Sequence, residues 1–563
     1  MALFGIFYNV ILAAYILVGL STLIYLVAFN KTAIKISYPI FFAFLISLLA
    51  IFIFSYYTTP SVFSGRDEGS LSLAAIQLSQ NHQLTFSSTA SQEFFKLNAP
   101  GTALNFPGFS YNKDGSLMTQ FPLGYSSWLA IFYSIFGLNG LIIANGVSFF
   151  IFLSSFYLLT RHYLRTSSSF VALMLVLTSF VFSWFFKFTL SENFALALLW
   201  FGIYEFILFT RNRNRFYLTS SLLSLGLLTF ARIEAVAFLI IIFLILLFKY
   251  RDWKYILFIV IGEKILVLLA SMGLIYIFNV AIDSNFYIAL AKGFLKPFAS
   301  FGQDIQNSTG FLSAFVYIMK IFVAYGIFIY FLFGSLAIIY LLKKRAFKLL
   351  IPFLITCPGF IYLINPSISI DHPWMLRRFL FSIIPIAIFY TVWAMDTFTK
   401  KRTYFYALTV ALIGTNLLIF VPYLTFSPNK NLLPAIQKIS ENFDANDLVL
   451  VDQLATGDGW AMMAGPLNFI YDKQAVYFHN PKDLAKLNLK KWNAVYFIIP
   501  DNNLDVYRKN GLLKSLRPIK EYALEVPSLK ILKLEKKDAF ISDIALPEKQ
   551  TTTVYGKIYL LIR

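Results

Sequence analysis

Apolar residues fill this chain in runs longer than a soluble helix or strand requires, each closed by a short polar break. Crossing about 30 Å of hydrocarbon takes roughly 20 residues of α-helix. Runs of that order lie at 3–29, 37–58, 139–160, 168–186, 191–210, 255–280, 312–342, 348–365, 377–397 and 403–425. Residues 216–249 read as two more, a hairpin broken at "TFARIEA". The pattern therefore predicts about twelve transmembrane helices. After "FSPNK" it changes: strand-like runs "DLVLVD" and "NAVYFIIP" alternate with polar, helix-compatible stretches such as "NPKDLAKLNLKKW". The predicted fold class is an all-α polytopic membrane domain over residues 1–426, with a large outer loop at 59–138, followed by a soluble extracytoplasmic α/β domain over 427–563.

Charge sets the orientation. With alternate loops in the cytoplasm, the inner side gathers Lys31 and Lys35, Arg161 and Arg165, Arg211 to Arg215, Lys249 to Lys254, Lys343 to Lys348, and Lys400 to Arg402. The positive-inside rule then places both termini outside. The first run reads as a retained helix, because no small-residue cleavage site ends it. Nine of the thirteen acids before residue 427 fall on the outer side (Asp67, Glu68, Glu93, Asp114, Glu192, Glu234, Asp283, Asp304 and Asp371), so any chemistry faces outward.

Composition agrees and removes other classes. Hydrophobic residues make up 58%, aromatics 18% and charges only 13%, with a mean hydropathy of +0.69, which describes lipid-embedded protein. The net charge of +19 lacks the basic-aromatic patterning of a nucleic-acid surface, and there is no phosphate-binding glycine loop. Four scattered histidines and the lone Cys357 form no metal motif. No cofactor is required by these residues, although paired carboxylates admit a divalent cation. The "TGDGW" segment at 456–460 reads as a turn.

The outer loop carries the candidate chemistry. It opens on "SGRDEGSLSLAAIQLSQNHQLTF", with Asp67 and Glu68 side by side, and "AAIQLSQNHQLTF" predicts an amphipathic helix lying in the membrane plane. "YNKDGSLMTQFPLGYSSWLAIFYSIFGLNGLIIANGVSFF" follows, where the apolar piece 126–136 is too short to span and reads as an interfacial or cavity-wall helix. A carboxylate pair after an outward-going span, an A-x-x-L helix, a DG turn leading to "FPLG", and "FG-x-x-G-x-x-x-x-N" together resemble the polyprenyl-phosphate-dependent GT-C glycosyltransferases. The nearest groups are the protein O-mannosyltransferases and the lipid A aminoarabinose transferases. The likeness covers roughly residues 55 to 250, with further support from "RRFLFSIIP" at 377–385.

The resemblance implies a lipid-phosphate sugar donor, a cavity open to the outer leaflet, an acceptor on a protein, glycan or lipid, and inversion at the anomeric carbon. The residues make that chemistry sensible. An acceptor hydroxyl must lose its proton as it attacks, and a carboxylate can take it. Asp67 is the candidate base, with Glu68 orienting the acceptor, binding a cation or supporting Asp67; the competing structural role for both is to favour the start of a helix. The leaving phosphate calls for cations. Arg377 and Arg378 stand at an outer span start, Arg232 sits in the hairpin break, and Lys187 is a weaker candidate. Arg232 is equally suited to pair with Glu234 or Glu192. Asp114, Tyr125 and His372 are candidates for shaping the loop or the acceptor side. A secondary transporter is the alternative reading, since it too has about twelve spans and buried charges. Asp67 beside Arg377 or Arg378 at the outer edge favours the transferase, whereas a midplane site between related halves favours transport.

Overall fold

The computed structural model describes residues 1–2, 5–14, 17, 37–101, 103–249, 263–282, 287–288, 308–364, 372–459, 461–530 and 545–562. The first predicted span beyond residue 17 lies outside these residues, as do Asp283, Asp304, Asp371 and Trp460. Two hydrophobic cores organise the remainder. One joins the apolar helices between Tyr38 and Tyr423, and the other joins the outer loop to the C-terminal region.

Four described helices are long and apolar enough to cross a membrane: Tyr38–Tyr56, Leu138–Tyr163, Ser191–Asn212 and Arg402–Leu424. Three bent pairs bring the number to seven if each counts as one span. Several predicted straight runs are therefore broken. The run at 312–342 turns by 117° between Phe315–Ala324 and Phe328–Lys343, where Gly326 adopts φ +70°. A side chain is strained in that left-handed region, and glycine is not. The run at 377–397 bends by 60° between Trp374–Leu380 and Ile383–Phe398. Pro385 has no N–H for the carbonyl of Phe381 four residues earlier. Trp200 Nε1 donates to that carbonyl instead, at 3.0 Å. The "TFARIEA" break does separate two helices, Arg215–Thr229 and Ala235–Lys249.

The outer loop contributes short strands β1 (Ser64–Gly65), β2 (Thr85–Phe86), β3 (Phe109–Tyr111) and β4 (Leu117–Thr119), the last three forming an antiparallel sheet in the order β2-β4-β3. The C-terminal region adds β5 (Leu448–Val451), β6 (Ala461–Met462), β7 (Gln474–Tyr477), β8 (Val495–Pro500), β9 (Leu516–Lys530) and β10 (Glu548–Leu561). Its sheet runs β7-β5-β8-β10-β9, with β5 parallel to β7 and β8 and β10 antiparallel to β8 and β9. The "NPKDLAKLNLKKW" stretch is not a helix but two 3₁₀ turns, Pro481–Lys486 and Leu489–Lys491. Asn480 and Asn488 accept hydrogen bonds from the backbone N–H two residues on, a local bond that competes with helix propagation.

β1 pairs with β6, setting Gly65 opposite Ala461. The C-terminal region thus reaches to within two residues of Asp67. The helix Asp67–Asn81 turns no apolar face outward over its central turns, because every residue from Gly69 to Leu78 is buried in protein. Helix Leu123–Phe136 covers it on one side and the short helix Ala464–Phe469 on another. Its polar positions, which suggested a wet face, find protein partners: Ser72 Oγ meets Thr189 Oγ1 at 2.7 Å and Ser79 Oγ meets Ser134 Oγ at 2.8 Å.

A buried acid fastens the two outer parts. Glu93 accepts from Lys96 Nζ at 2.8 Å, from the backbone N–H of Asn488 at 2.9 Å and from Lys491 Nζ at 2.9 Å. Burial raises such a carboxyl, but hydrogen bonds from Lys96, Asn488 and Lys491 outweigh it and hold Glu93 at about 2, against an ordinary value of 4.5. A depressed folded-state pKa contributes stability that is complete above the ordinary value and is lost as the pH falls through the folded one. Amide exchange along residues 488–492 is therefore expected to accelerate as the pH drops from about 4.5 towards about 2, and Glu93→Gln is expected to abolish that dependence. An unchanged pH profile in Glu93→Gln would show that other acids control this interface.

Candidate active site

The site begins at a tight crossing. A Cβ on Gly69 would lie 1.6 Å from the carbonyl oxygen of Phe63, so only glycine lets the chain fold back over the first turn of helix Asp67–Asn81. This crossing places Asp67 at the helix start, and Thr189 Oγ1 anchors the same turn by donating to the Glu68 carbonyl at 2.7 Å. The segment carrying Thr189 is itself pinned. Asn145 Nδ2 donates to the carbonyls of Phe186 and Phe188 at 3.0 and 2.8 Å, and Asn193 Nδ2 donates to those of Phe185 and Phe188. Asn145 is the asparagine of the "FG-x-x-G-x-x-x-x-N" pattern. Tyr125 donates to Asn145 Oδ1 at 2.6 Å, so this buried tyrosine shapes the loop through it.

The structure brings Asp67 and Arg377 together across 310 residues, with Nη1 donating to Oδ2 at 2.5 Å. The arginine side chain is 8% exposed and the aspartate 41%. Arg377 also lies 3.9 Å from Glu192 Oε1 and stands 4.9 Å over the Trp374 ring, whose other close cation is Arg66 at 4.8 Å. Glu192, buried in the first turn of helix Ser191–Asn212, is the hub that sequence reading named only as a partner of Arg232. It accepts from Arg232 Nη1 at 2.8 Å while reaching towards Arg377.

Arg232 is fully engaged. Besides Glu192, it donates from Nε and Nη2 to Glu234 Oε1 at 2.8 and 2.5 Å, and Tyr362 donates to that same oxygen at 2.6 Å. Both predicted carboxylate partners thus hold it. The hairpin break that carries Arg232 is docked by Gly124, whose N–H donates to the Phe230 carbonyl at 2.8 Å and where a Cβ would come within 2.8 Å of that backbone. Arg378 lies 5.5 Å over the Tyr362 ring and, among the described residues, has no carboxylate within ion-pair distance. The Nε atoms of Arg377 and Arg378 are buried without a hydrogen-bond partner among those residues.

The remaining candidates divide. Glu68 turns away from Asp67 into a small cleft lined by Thr59, Ser61, Lys187 and Ser427, where Oε2 has no hydrogen-bond partner among the described residues. Burial raises its carboxyl to about 7, against the lowering effect of Arg66. Lys187 lines that cleft but does not join the arginines. Its ammonium donates to the carbonyls of Tyr423, Leu424 and Phe426 at 3.0, 2.7 and 2.5 Å, satisfying the open C-terminal end of helix Arg402–Leu424. Asp114 accepts from the N–H and Oγ of Ser116 in its turn, bonds that hold its carboxyl below the usual range and need no ligand. His372 Nδ1 meets the Tyr325 hydroxyl at 3.0 Å in a buried position. Among the described residues no three His, Cys, Asp or Glu side chains gather to hold a metal ion, and Asp67 is engaged by an arginine.

No protein-family model matches the sequence, and no curated protein matches it. Solved structures do match in shape. The Archaeoglobus fulgidus oligosaccharyltransferase, solved in complex with Zn and sulfate, superposes with a TM-score of 0.50 at 14% identity, covering 81% of this chain and 68% of that one. ArnT from Cupriavidus metallidurans in the apo state superposes at 0.51 with 10% identity, covering 85% and 95%. The chain has a GT-C glycosyltransferase-like fold. In this GT-C-like frame the ionic cluster stands at one end of the helices, since Glu192 and Arg377 each begin one and Arg232 occupies a hairpin break.

Proposed function

We propose that the chain is an inverting membrane glycosyltransferase that moves a sugar from a polyprenyl-phosphate donor to an acceptor hydroxyl on the outer face of the membrane. The observation that carries this reading is the Asp67–Arg377 contact, which sets a half-exposed carboxylate beside a buried guanidinium at the ends of the apolar helices. In the proposed reaction Asp67 accepts the hydroxyl proton, and Arg377 and Arg378 meet the charge that develops on the departing phosphate. A transporter reading calls for ionisable groups near the bilayer midplane, and this cluster lies at helix ends. The orientation that puts the cluster outside is supported by the basic loops, and the twelve-span topology belongs to the same proposal.

Two experiments test the reading. Mass analysis of surface glycans and lipids from cells with and without the gene should reveal one sugar-bearing species that depends on it. Identical profiles would count against transfer. In purified protein, Arg378→Ala should weaken binding of undecaprenyl phosphate about tenfold, because a charge-assisted contact to phosphate is lost. Lys187→Met should leave that affinity unchanged and lower the melting temperature, since Lys187 binds carbonyls. The reverse pattern would transfer the phosphate role from Arg378 to Lys187.

A further inference from the structure

We propose that the phosphate of the donor opens the Asp67–Arg377 ion pair, and that this exchange is what makes Asp67 available as a base. The inference rests on the transferase reading and adds an order of events to it. In the observed geometry Asp67 Oδ2 is held by Arg377 Nη1 at 2.5 Å, so the carboxylate is tethered to the arginine through one of its two oxygens. A carboxylate tethered in this way is not free to turn towards an incoming hydroxyl until its partner finds another anion.

The two members of the pair are unequal in the way an exchange requires. Arg377 is buried, stacked on Trp374 and within 3.9 Å of Glu192, so it keeps its place when one partner departs. Asp67 is the exposed member, at the first position of its helix, where rotation about the side chain leads to solvent. Arg232 cannot serve the same purpose, because Glu192, Glu234 and Ser191 already take its donors. Arg377 Nε faces Glu192, whereas Arg378 Nε, buried without a hydrogen-bond partner among the described residues, offers donor capacity that Asp67 does not use. A phosphate presents several oxygens to two guanidinium groups, whereas the carboxylate contacts one.

The exchange closes into a cycle with its atoms balanced. The donor phosphate takes Arg377 and Arg378, and Asp67 swings free. The acceptor oxygen bonds to the anomeric carbon while the carbon–oxygen bond to phosphate breaks, leaving its electron pair on the phosphate oxygen. The hydroxyl proton passes to Asp67. Protonated Asp67 carries no charge and does not compete for Arg377. Once it gives the proton to water, the carboxylate returns to Arg377 and displaces the lipid phosphate. Donor binding therefore precedes productive acceptor binding.

The test uses full-length protein in nanodiscs with undecaprenyl phosphate as the probe. Asp67→Asn should bind it about tenfold more tightly than wild type, because a neutral amide competes for Arg377 less strongly than a carboxylate, and Arg377→Gln should bind it more weakly. In the Arg377→Gln background, Asp67→Asn should change nothing, because no pair remains to be opened. Tightening of equal size in both backgrounds would mean that Asp67 merely repels phosphate, and would overturn the exchange. Wild-type binding unchanged by Asp67→Asn would also overturn it while leaving the transferase reading intact. Failure of wild type and Asp67→Asn alike to bind the probe would remove the transferase reading itself. Inorganic phosphate at matched concentration should show no Asp67-dependent binding; an equal effect would overturn the assignment of the exchange to the lipid carrier. Thermal unfolding of each variant verifies that it is folded.

Discussion

Asp67→Asn is expected to lower sugar transfer by about a hundredfold or more while leaving expression and melting temperature close to wild type. The substitution preserves size, and the amide oxygen can still accept a hydrogen bond from Arg377. What it loses is the capacity to take a proton. A structural role for Asp67 would produce the opposite pattern, because removing a carboxylate from Arg377 would then cost stability and leave turnover proportional to the folded fraction. The measurement is transfer per folded molecule, with folding scored by thermal unfolding. Retention of most of the activity would sink the base assignment and turn attention to Glu68, whose raised pKa of about 7 leaves it partly ionised at neutral pH.

Arg232→Leu should have the largest effect on stability. It leaves Glu234 with the Tyr362 hydroxyl and Glu192 with the Ser191 hydroxyl at 3.4 Å and the more distant Arg377, both carboxylates being buried. Breaking a buried pair by removing one partner costs about 3–5 kcal/mol, because the remaining charge stays desolvated. Replacing Arg232 and Glu234 together by Met and Leu should restore part of that loss, since the orphaned charge is removed as well. Restored stability without restored transfer would assign the cluster a role in placing Arg377 through Glu192. Equal instability in the single and double variants would show that packing against Phe381, 4.8 Å from the guanidinium, matters more than charge.

Much of the architecture was legible because its causes are local. Apolar runs closed by lysines and arginines announce helices, four of them among the described residues long enough to cross a membrane, and "DLVLVD" and "NAVYFIIP" contain β5 and β8. The break at "TFARIEA" appears as a polar interruption in a hairpin. The resemblance drew attention to Asn145, but its partners are not local: its amide reaches two carbonyls 41 and 43 residues further along the chain.

Other features depend on contacts that no local pattern encodes. Helix Asp67–Asn81 carries serines and glutamines that mimic a wet face, yet it is buried, because helix Leu123–Phe136 and the C-terminal region close over it. Lys187 had the charge of a phosphate ligand and became the cap of a helix that ends 237 residues later. By itself the sequence determined the membrane class, the basic loops that propose an orientation, the C-terminal strands and the residue types available for catalysis, since composition and period act over one or two turns. Only the tertiary structure decided that Glu192 stands between Arg232 and Arg377, that Asp67 is closed by one of them, and that Glu68 faces another cleft. Those choices follow from the bend ahead of Pro385, which sets the segment carrying Arg377, and from the crossing at Gly69, which sets the start of the helix carrying Asp67.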